Sequence, residues 1–396
     1  MKKNIIFMVI NMNVGGTERA LLNMIAEMPK DTFDITILML EKYGGFLESI
    51  PSYVQVQYLD GYQDIKKILN RPPKETIMKN FKNGKVIKGL SLLLILFLSR
   101  LTRNKGIFFK YVLKNIPNLK TEYDIALAYA GPMDFISYFV VNKIKAKKRV
   151  QWIHFDVTKI GFNKVFSRRI YQQYDKLFIV SKEARNKLIN LIPNIDIKTE
   201  VFLNIVSPEI IERESKKGKG FDDYFKGFRI FTVGRLSNEK GQDLAIEALT
   251  RLVNEGFDVN WYCLGEGSSR HKYEKLVQEN KLEDRFILLG SNPNPYSFME
   301  QCDIYVQPSR HEGYCLTIAE ARALKKPIVT TATAGAKEQI RHGETGLIVD
   351  IDSKEIYQAI KQLIENTKLR NDLTKNLKTE KLDNPFNIDD KNLMIV

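Results

Sequence analysis

The 396-residue chain holds three cysteines, two tryptophans and four histidines, and no apolar run long enough to span a bilayer. Cys263, Cys302 and Cys315 form no CxxC pair and no Cys/His cluster, so neither a zinc site nor a disulfide framework is indicated, and a reduced, cytoplasmic compartment is expected. His271, His311 and His342 show no metal-ligand spacing, and no metal is expected. There is no GxGxxG, which argues against an ordinary NAD site. The start, MKKNIIFMVINMNVGGTER, has the lysines and apolar run of a signal peptide but no small-residue cleavage site; it reads as a first strand entering a Gly-Gly turn, and export is not expected.

Acidic excess is also missing: the net charge is +14. Nearly all of it lies in residues 64–120, where fourteen Lys and Arg face only Asp64 and Glu75. The same stretch contains the longest apolar run, Leu90 to Leu98, interrupted by Ser91. No base-reading or stacking motif accompanies the charge, so nucleic acid is not the expected partner. Cationic flanks around a short apolar helix suit an anionic membrane surface. The alternative is that 86–98 is a buried core helix with solvated lysines around it.

What is present in abundance is alternation of strands and helices. Apolar runs at 4–10, 33–40, 54–59, 123–129, 149–154, 177–181 and 199–203 read as strands, several without polar alternation, which implies a parallel sheet covered on both faces. Residues 206–227, with Ser207-Pro208 and a Lys/Gly-containing stretch, read as a linker. A second series follows, with strands at 229–233, 259–264, 286–289, 303–307, 328–331 and 346–349. The expected fold is α/β, two Rossmann-like doubly wound domains: 1–205, with 64–120 as a membrane-proximal insertion and 380–396 as a possible completion, and 228–380. Ligands of such sheets bind beyond the carboxyl ends of the strands.

Three loops there carry chemistry. Gly15-Gly16 precedes a helix whose N-terminus can meet a phosphate. In Gly234-Arg235-Leu236-Ser237-Asn238-Glu239-Lys240-Gly241, Arg235 and Lys240 can converge on a diphosphate and stabilise it as it leaves, without a metal. In His311-Glu312-Gly313-Tyr314-Cys315-Leu316-Thr317-Ile318-Ala319-Glu320-Ala321, Glu312 lies in a strand-to-helix loop and Glu320 on the helix. The first carboxylate can accept from sugar hydroxyls and the second from both hydroxyls of a ribose, while the N–H groups of 313–317 can face phosphate oxygens. Asp350-Ile351-Asp352 is formally a DxD, but it stands at a helix start, where Asp352 or Ser353 reads better as an N-cap.

GRLSNEKG, LGEG at 264–267, PSRHEGYCLTIAEA and PIVTTATAGAKEQI…GETGLIVD together resemble the family 4 glycosyltransferases, throughout the second half of the chain. In the first half the likeness rests on GGTER and WIHFD. The resemblance implies a retaining glycosyltransferase of the GT-B type, two Rossmann-like domains facing across a cleft, with no cofactor and a nucleotide-sugar donor, a UDP-sugar before others. Arg235 and Lys240 would bind the donor diphosphate and Glu320 the ribose. Glu312 with the Gly313–Leu316 backbone would hold the transferred sugar, and His154 would face it; a satisfied strand-end histidine is the other reading of His154. Gly15, Gly16, Gly234, Gly265, Gly290, Ser309, Tyr314, Cys315 and Thr317 complete the expected donor-binding set. Tyr314-Cys315 departs from the commoner Phe-Gly or Phe-Pro, which bears on hexose selectivity. The acceptor expected is a lipid-linked saccharide or oligosaccharide in bacterial cell-surface or capsular polysaccharide synthesis, met at the inner face of the plasma membrane. A nucleotide-sugar 2-epimerase and a catalytically silent partner protein of the same fold are the competing readings.

Overall fold

The computed structural model describes residues 2–70, 73–159 and 161–380. Arg71 of the basic segment and residues 381–396, expected to help complete the first domain, lie outside the described residues. Two compact units result: residues 2–13 with 28–202, and residues 14–27 with 203–380.

The first unit is built on a seven-stranded parallel sheet. Its strands are β1 (Lys3–Val9), β2 (Phe33–Met39), β3 (Gln55–Tyr58), β4 (Glu122–Ala128), β5 (Lys145–Ile153), β6 (Lys176–Ile179) and β7 (Thr199–Val201). They lie in the order β3-β2-β1-β4-β5-β6-β7. Ile5 to Val9 are all buried, the pattern of a central parallel strand shielded on both faces. Helix α1 (Gly16–Glu27) follows β1 in the chain but groups with the second unit, where Asn23 Nδ2 donates to Ile205 O at 3.0 Å.

Residues 62–112 form four helices: α2 (Tyr62–Asn70), α3 (Pro73–Lys82), α4 (Val86–Leu101) and α5 (Lys105–Val112). The reading of 86–98 as a buried core helix does not hold. Only Gly89 and Leu92 of α4 are buried, while Ile87, Leu90, Leu94, Phe97 and Leu101 are exposed, Ile87 to 84% and Leu101 to 70%. These five recur at three- and four-residue steps, so they share one face. The inner face leans on α5, where Ser91 Oγ meets Tyr111 OH at 3.3 Å. No described helix is long and apolar enough to cross a membrane. Helices α6 (Asp134–Lys143), α7 (Lys164–Tyr171) and α8 (Lys182–Leu191) complete the unit.

The second unit opens with α9 (Pro208–Ser215), inside the stretch expected to be a linker. Ser207-Pro208 starts a helix here, with proline in its first turn, where no intrahelical N–H partner is needed. Ile211 of that helix packs with Tyr296 and Ala323, so α9 belongs to the unit's core. There follow β8 (Phe228–Val233), α10 (Gln242–Asn254), β9 (Val259–Leu264), α11 (Arg270–Glu279), β10 (Phe286–Gly290), α12 (Tyr296–Gln301) and β11 (Ile304–Gln307). The unit closes with α13 (Leu316–Ala323), β12 (Ile328–Thr331), α14 (Ala334–Gln339), β13 (Leu347–Val349), α15 (Ser353–Glu365) and α16 (Thr367–Thr379). The six strands run parallel in the order β10-β9-β8-β11-β12-β13. Asp352 caps α15 as expected, its Oδ1 accepting from Lys354 N at 2.8 Å and Glu355 N at 3.2 Å.

In each sheet the order reverses beside the first strand, between β1 and β4 and between β8 and β11. Loops leaving the two strands at such a reversal diverge to opposite faces and open a crevice. In the second unit those loops begin at Gly234 and Pro308. They approach so closely at Gly241, which has φ 70°, that a Cβ there would fall 2.0 Å from Pro308 O. Gly241→Ala is expected to cost at least about 1–3 kcal/mol of stability, read as a lowered urea midpoint; an unmoved midpoint would show that the loops can part freely.

Candidate functional site

The loops after β8 and β11 are pinned together by backbone and side chain. Arg310 N donates to Glu239 O at 2.8 Å, and the Arg310 guanidinium reaches both Asp243 oxygens at 2.8 Å. That two-pronged pair joins the start of α10 to the second loop with fixed geometry. The other glycine loops adjoin: Gly234 N donates to Leu264 O at 3.0 Å, Gly265 N to Gly290 O at 2.7 Å and Leu236 N to Glu266 O at 3.1 Å. Gly234, Gly265 and Gly290 therefore gather at the carboxyl ends of β8, β9 and β10.

At the centre of the crevice Lys240 Nζ contacts Glu312 at both oxygens, 2.7 and 2.8 Å. The Glu312 side chain is only 8% exposed. Ser309 Oγ donates to Glu312 Oε1 at 2.6 Å, Gln307 Nε2 donates to Ser309 Oγ at 2.8 Å, and Gln307 Oε1 accepts from Tyr305 OH at 2.6 Å and Thr317 Oγ1 at 3.0 Å. A chain of oriented side chains thus holds Glu312 from beneath. Burial disfavours the Lys240 ammonium, yet the Glu312 charge and its hydrogen bonds outweigh burial and hold the lysine above its ordinary pKa. Lys240 therefore stays a cation. Exposed Arg235 adds its charge near both Lys240 and Glu18. Glu18, in the first turn of α1, was not among the expected residues. Burial raises its pKa against the pull of its own backbone N–H and of Arg235. Gly15 lies so close that a Cβ would meet Glu18 Oε2 at 2.6 Å, and Gly16 begins α1. Gly15-Gly16 therefore belongs to the same cluster of loops.

Gly313 to Cys315 lead into α13, whose first N–H groups have no intrahelical acceptors. Cys315 sits in the left-handed region, φ 62° and ψ 77°, directly before Leu316, and its Sγ lies 3.4 Å from Thr317 Oγ1. Burial pushes its thiol pKa up to about 12, so it is a packing group here and not a nucleophile. Gln339 of α14 holds the turn from behind, donating to Tyr314 O and, at 3.2 Å, to Cys315 O.

Glu320 lies one turn further along α13 and is buried. Tyr296 OH donates to its Oε1 at 2.8 Å; the Arg19 guanidinium stands over the Tyr296 ring, 5.2 Å from the centroid, and donates to Pro293 O. Burial raises the Glu320 pKa, opposed by the Arg19 charge and the tyrosine hydroxyl.

His154 belongs to the first unit, just past β5. Its Nε2–H donates to Tyr129 O at 2.8 Å, and burial pulls its pKa down to about 3, so the ring is neutral with Nδ1 as its acceptor. This is the geometry of a satisfied strand-end histidine. Among the described residues no three His, Cys, Asp or Glu side chains gather as a metal cluster. The sequence reading missed Glu18, Arg19, Tyr296, Gln307, Gln339 and the Arg310–Asp243 pair. Glu18 and Arg19 stand in the GGTER run, Gln307 beside Pro308-Ser309, Arg310 within PSRHEG and Gln339 in KEQI; no local pattern marks Asp243 or Tyr296.

Because the folded-state pKa of Glu320 lies above its unfolded value, the native state binds that proton more tightly and stability falls as pH rises through the interval. Glu320→Gln keeps the acceptor for Tyr296 OH and removes the buried charge. The variant is expected to melt above the unliganded parent near neutral pH, with the difference shrinking as pH is lowered; a variant that melts lower at neutral pH would show that the charge stabilises the fold.

The glycosyl transferases, group 1, match this chain over residues 215–380. An N-acetylgalactosamine-N,N'-diacetylbacillosaminyl-diphospho-undecaprenol 4-alpha-N-acetylgalactosaminyltransferase of Campylobacter jejuni is 30% identical over 292 residues, covering 72% of this chain and 75% of the relative. The capsular polysaccharide biosynthesis glycosyltransferase CapM of Staphylococcus aureus is 32% identical over 154 residues, 36% of this chain and 38% of the relative. In fold, the chain is similar to Anabaena HepE in complex with UDP and glucose, with a TM-score of 0.66 at 18% identity, covering 95% of this chain and 94% of that one. It is also similar to S. aureus TarM, with a TM-score of 0.67 at 14% identity, covering 96% and 95%. Two parallel Rossmann-like units match these GT-B structures, and the identity held across most of the C. jejuni relative joins the match over 215–380: this chain belongs to the glycosyl transferases of group 1 and is a glycosyltransferase.

Proposed function

We propose that the enzyme transfers a hexose or N-acetylhexosamine from a UDP-sugar to a lipid-linked saccharide, with retention, in bacterial cell-surface or capsular polysaccharide synthesis. The observation that carries the donor side is the convergence of Lys240, Glu312 and the start of α13 on one crevice, with buried Glu320 one turn along that helix. Arg235 and Lys240 neutralise the leaving diphosphate as the glycosidic bond to it breaks, which is the part a divalent ion plays elsewhere. The N–H groups at the start of α13 add dipole to the same phosphates. Glu312, fixed by Ser309, accepts from hydroxyls of the transferred sugar, and Glu320 takes the ribose hydroxyls. UDP in the HepE complex and a diphospho-undecaprenol saccharide in the name of the C. jejuni relative support the choice of donor and acceptor class.

The membrane side of the proposal rests on α4. Its exposed face of Ile87, Leu90, Leu94, Phe97 and Leu101 is flanked by exposed Lys82, Lys85, Lys88, Arg100 and Arg103. An apolar stripe of that length with cationic borders suits shallow insertion into anionic lipid, at the inner face of the plasma membrane.

A thermal-shift screen of UDP-, GDP- and ADP-sugars is expected to single out a UDP-sugar, worth about 2.7 kcal/mol at 100-fold excess over Kd. Lys240→Ala and Glu320→Ala are each expected to abolish that shift and turnover without added metal; full activity in both variants would sink the site assignment. Release of a free epimerised sugar nucleotide instead of transfer would favour an epimerase. On the membrane, the parent is expected to co-sediment with phosphatidylglycerol vesicles, and replacing Lys82, Lys85, Lys88, Arg100 and Arg103 by Gln to release it; unchanged co-sedimentation would count against the membrane reading.

A further inference from the structure

The loop leaving β4, on one side of the order reversal in the first sheet, leads through Met133 into α6 and borders a cavity of about 260 Å³. Its walls include Tyr62 of α2, Lys105 and Phe109 of α5, Asp134 and Phe135 of α6, and Phe162. Lys105 Nζ meets Asp134 Oδ2 at 2.6 Å at this edge. The aromatic rings support one another, Phe109 and Phe135 edge to face at 5.7 Å and Tyr62 and Phe135 at 6.3 Å. We propose that this cavity is the acceptor-saccharide subsite, holding the sugar residue that receives the transferred one.

The chemistry of the walls selects the occupant. Asp134 gives one oxygen to Lys105 and keeps lone pairs for sugar hydroxyls, while the ammonium has further donors for a ring or hydroxyl oxygen. Aromatic rings beside a charged pair suit a hexose, which offers an apolar C–H face and a polar rim. Burial raises the Asp134 pKa and the Lys105 charge opposes it, so the carboxylate gains from any hydroxyl that donates to it. An isoprenoid chain would seal the ion pair under hydrocarbon without new partners. The volume suits a single hexose or N-acetylhexosamine. The position suits it too: α5, which supplies Lys105 and Phe109, is the helix against which the inner face of α4 leans, so the cavity and the helix that carries the apolar stripe share a neighbour. The word acceptor rests on the glycosyl-transfer reading; a saccharide in this cavity does not.

The test measures binding and transfer separately. Hexosyl and N-acetylhexosaminyl diphosphates of farnesol, and farnesyl diphosphate without sugar, are titrated calorimetrically into the full chain, its Asp134→Asn and Phe162→Ala variants, and Lys105→Met. Transfer from the preferred donor is followed in parallel. The sugar-bearing probes are expected to bind the parent, and to weaken about ten-fold in Asp134→Asn, the weight of a hydrogen bond to a charged group. A smaller weakening is expected in Phe162→Ala, with the acceptor KM rising and the donor KM unmoved. Equal binding of farnesyl diphosphate would place the lipid in the cavity and overturn the proposal, as would undiminished sugar binding in both variants. Parallel loss of donor and acceptor affinity would mark the ion pair as structural and overturn it as well. If the parent binds the sugar probes in an Asp134-dependent way but transfers nothing, the cavity assignment stands and the transferase reading of the site fails.

Discussion

The contact between Lys240 and Glu312 ties the loop after β8 to the loop after β11, and most of the second unit's chemistry depends on that tie. The two strands are neighbours at the point where the sheet order reverses, so their loops would otherwise diverge over opposite faces. Arg310–Asp243 holds the same loops on their outer side, and the close approach at Gly241 leaves no room for a side chain between them. A buried ion pair of this kind gains little net stability, because desolvation offsets the attraction, but removing one partner leaves a costly uncompensated charge. Its worth lies in position: a cation and a carboxylate are held before the start of α13, in one fixed arrangement.

Glu320 shows the opposite balance. Its carboxylate is buried with a raised pKa, with Tyr296 OH on one oxygen and the Arg19 charge nearby. The fold keeps a group that burial disfavours, one turn into the helix that begins at the crevice. Cys315 is similar in kind, a non-glycine residue in the left-handed region at the entry of α13, with Gln339 gripping the carbonyls on either side. A left-handed cysteine and a buried carboxylate fall within one short stretch, while the strands beneath it are ordinary packed hydrophobic core.

The first unit concentrates its departures elsewhere. Its sheet is conventional, but α4 turns a row of large apolar side chains to the outside, and α5 links that helix to a cavity containing a lysine–carboxylate pair. A contiguous row of exposed apolar side chains of this kind marks an interaction surface.

The strand series and the two parallel sheets were legible in the sequence, because fully buried parallel strands need continuous, largely apolar runs, such as Ile5 to Val9 and Ile304 to Val306. So were the strand-end loops that carry Lys240 and Glu312 and the helix that carries Glu320, since each follows directly on a strand of the second series. The tertiary structure alone decided the rest. Ser207-Pro208 reads as a break in one dimension but starts a helix, because Ile211 finds Tyr296 and Ala323 to pack against. Leu90 to Leu98 reads as a membrane-facing helix or as core, since a 16-residue helix is apolar on nearly every side and only its neighbours determine which face is covered. Arg19 and Tyr296 join Glu320 from about three hundred and from twenty-four residues away, a meeting that no local pattern encodes because it is made by packing, not by periodicity.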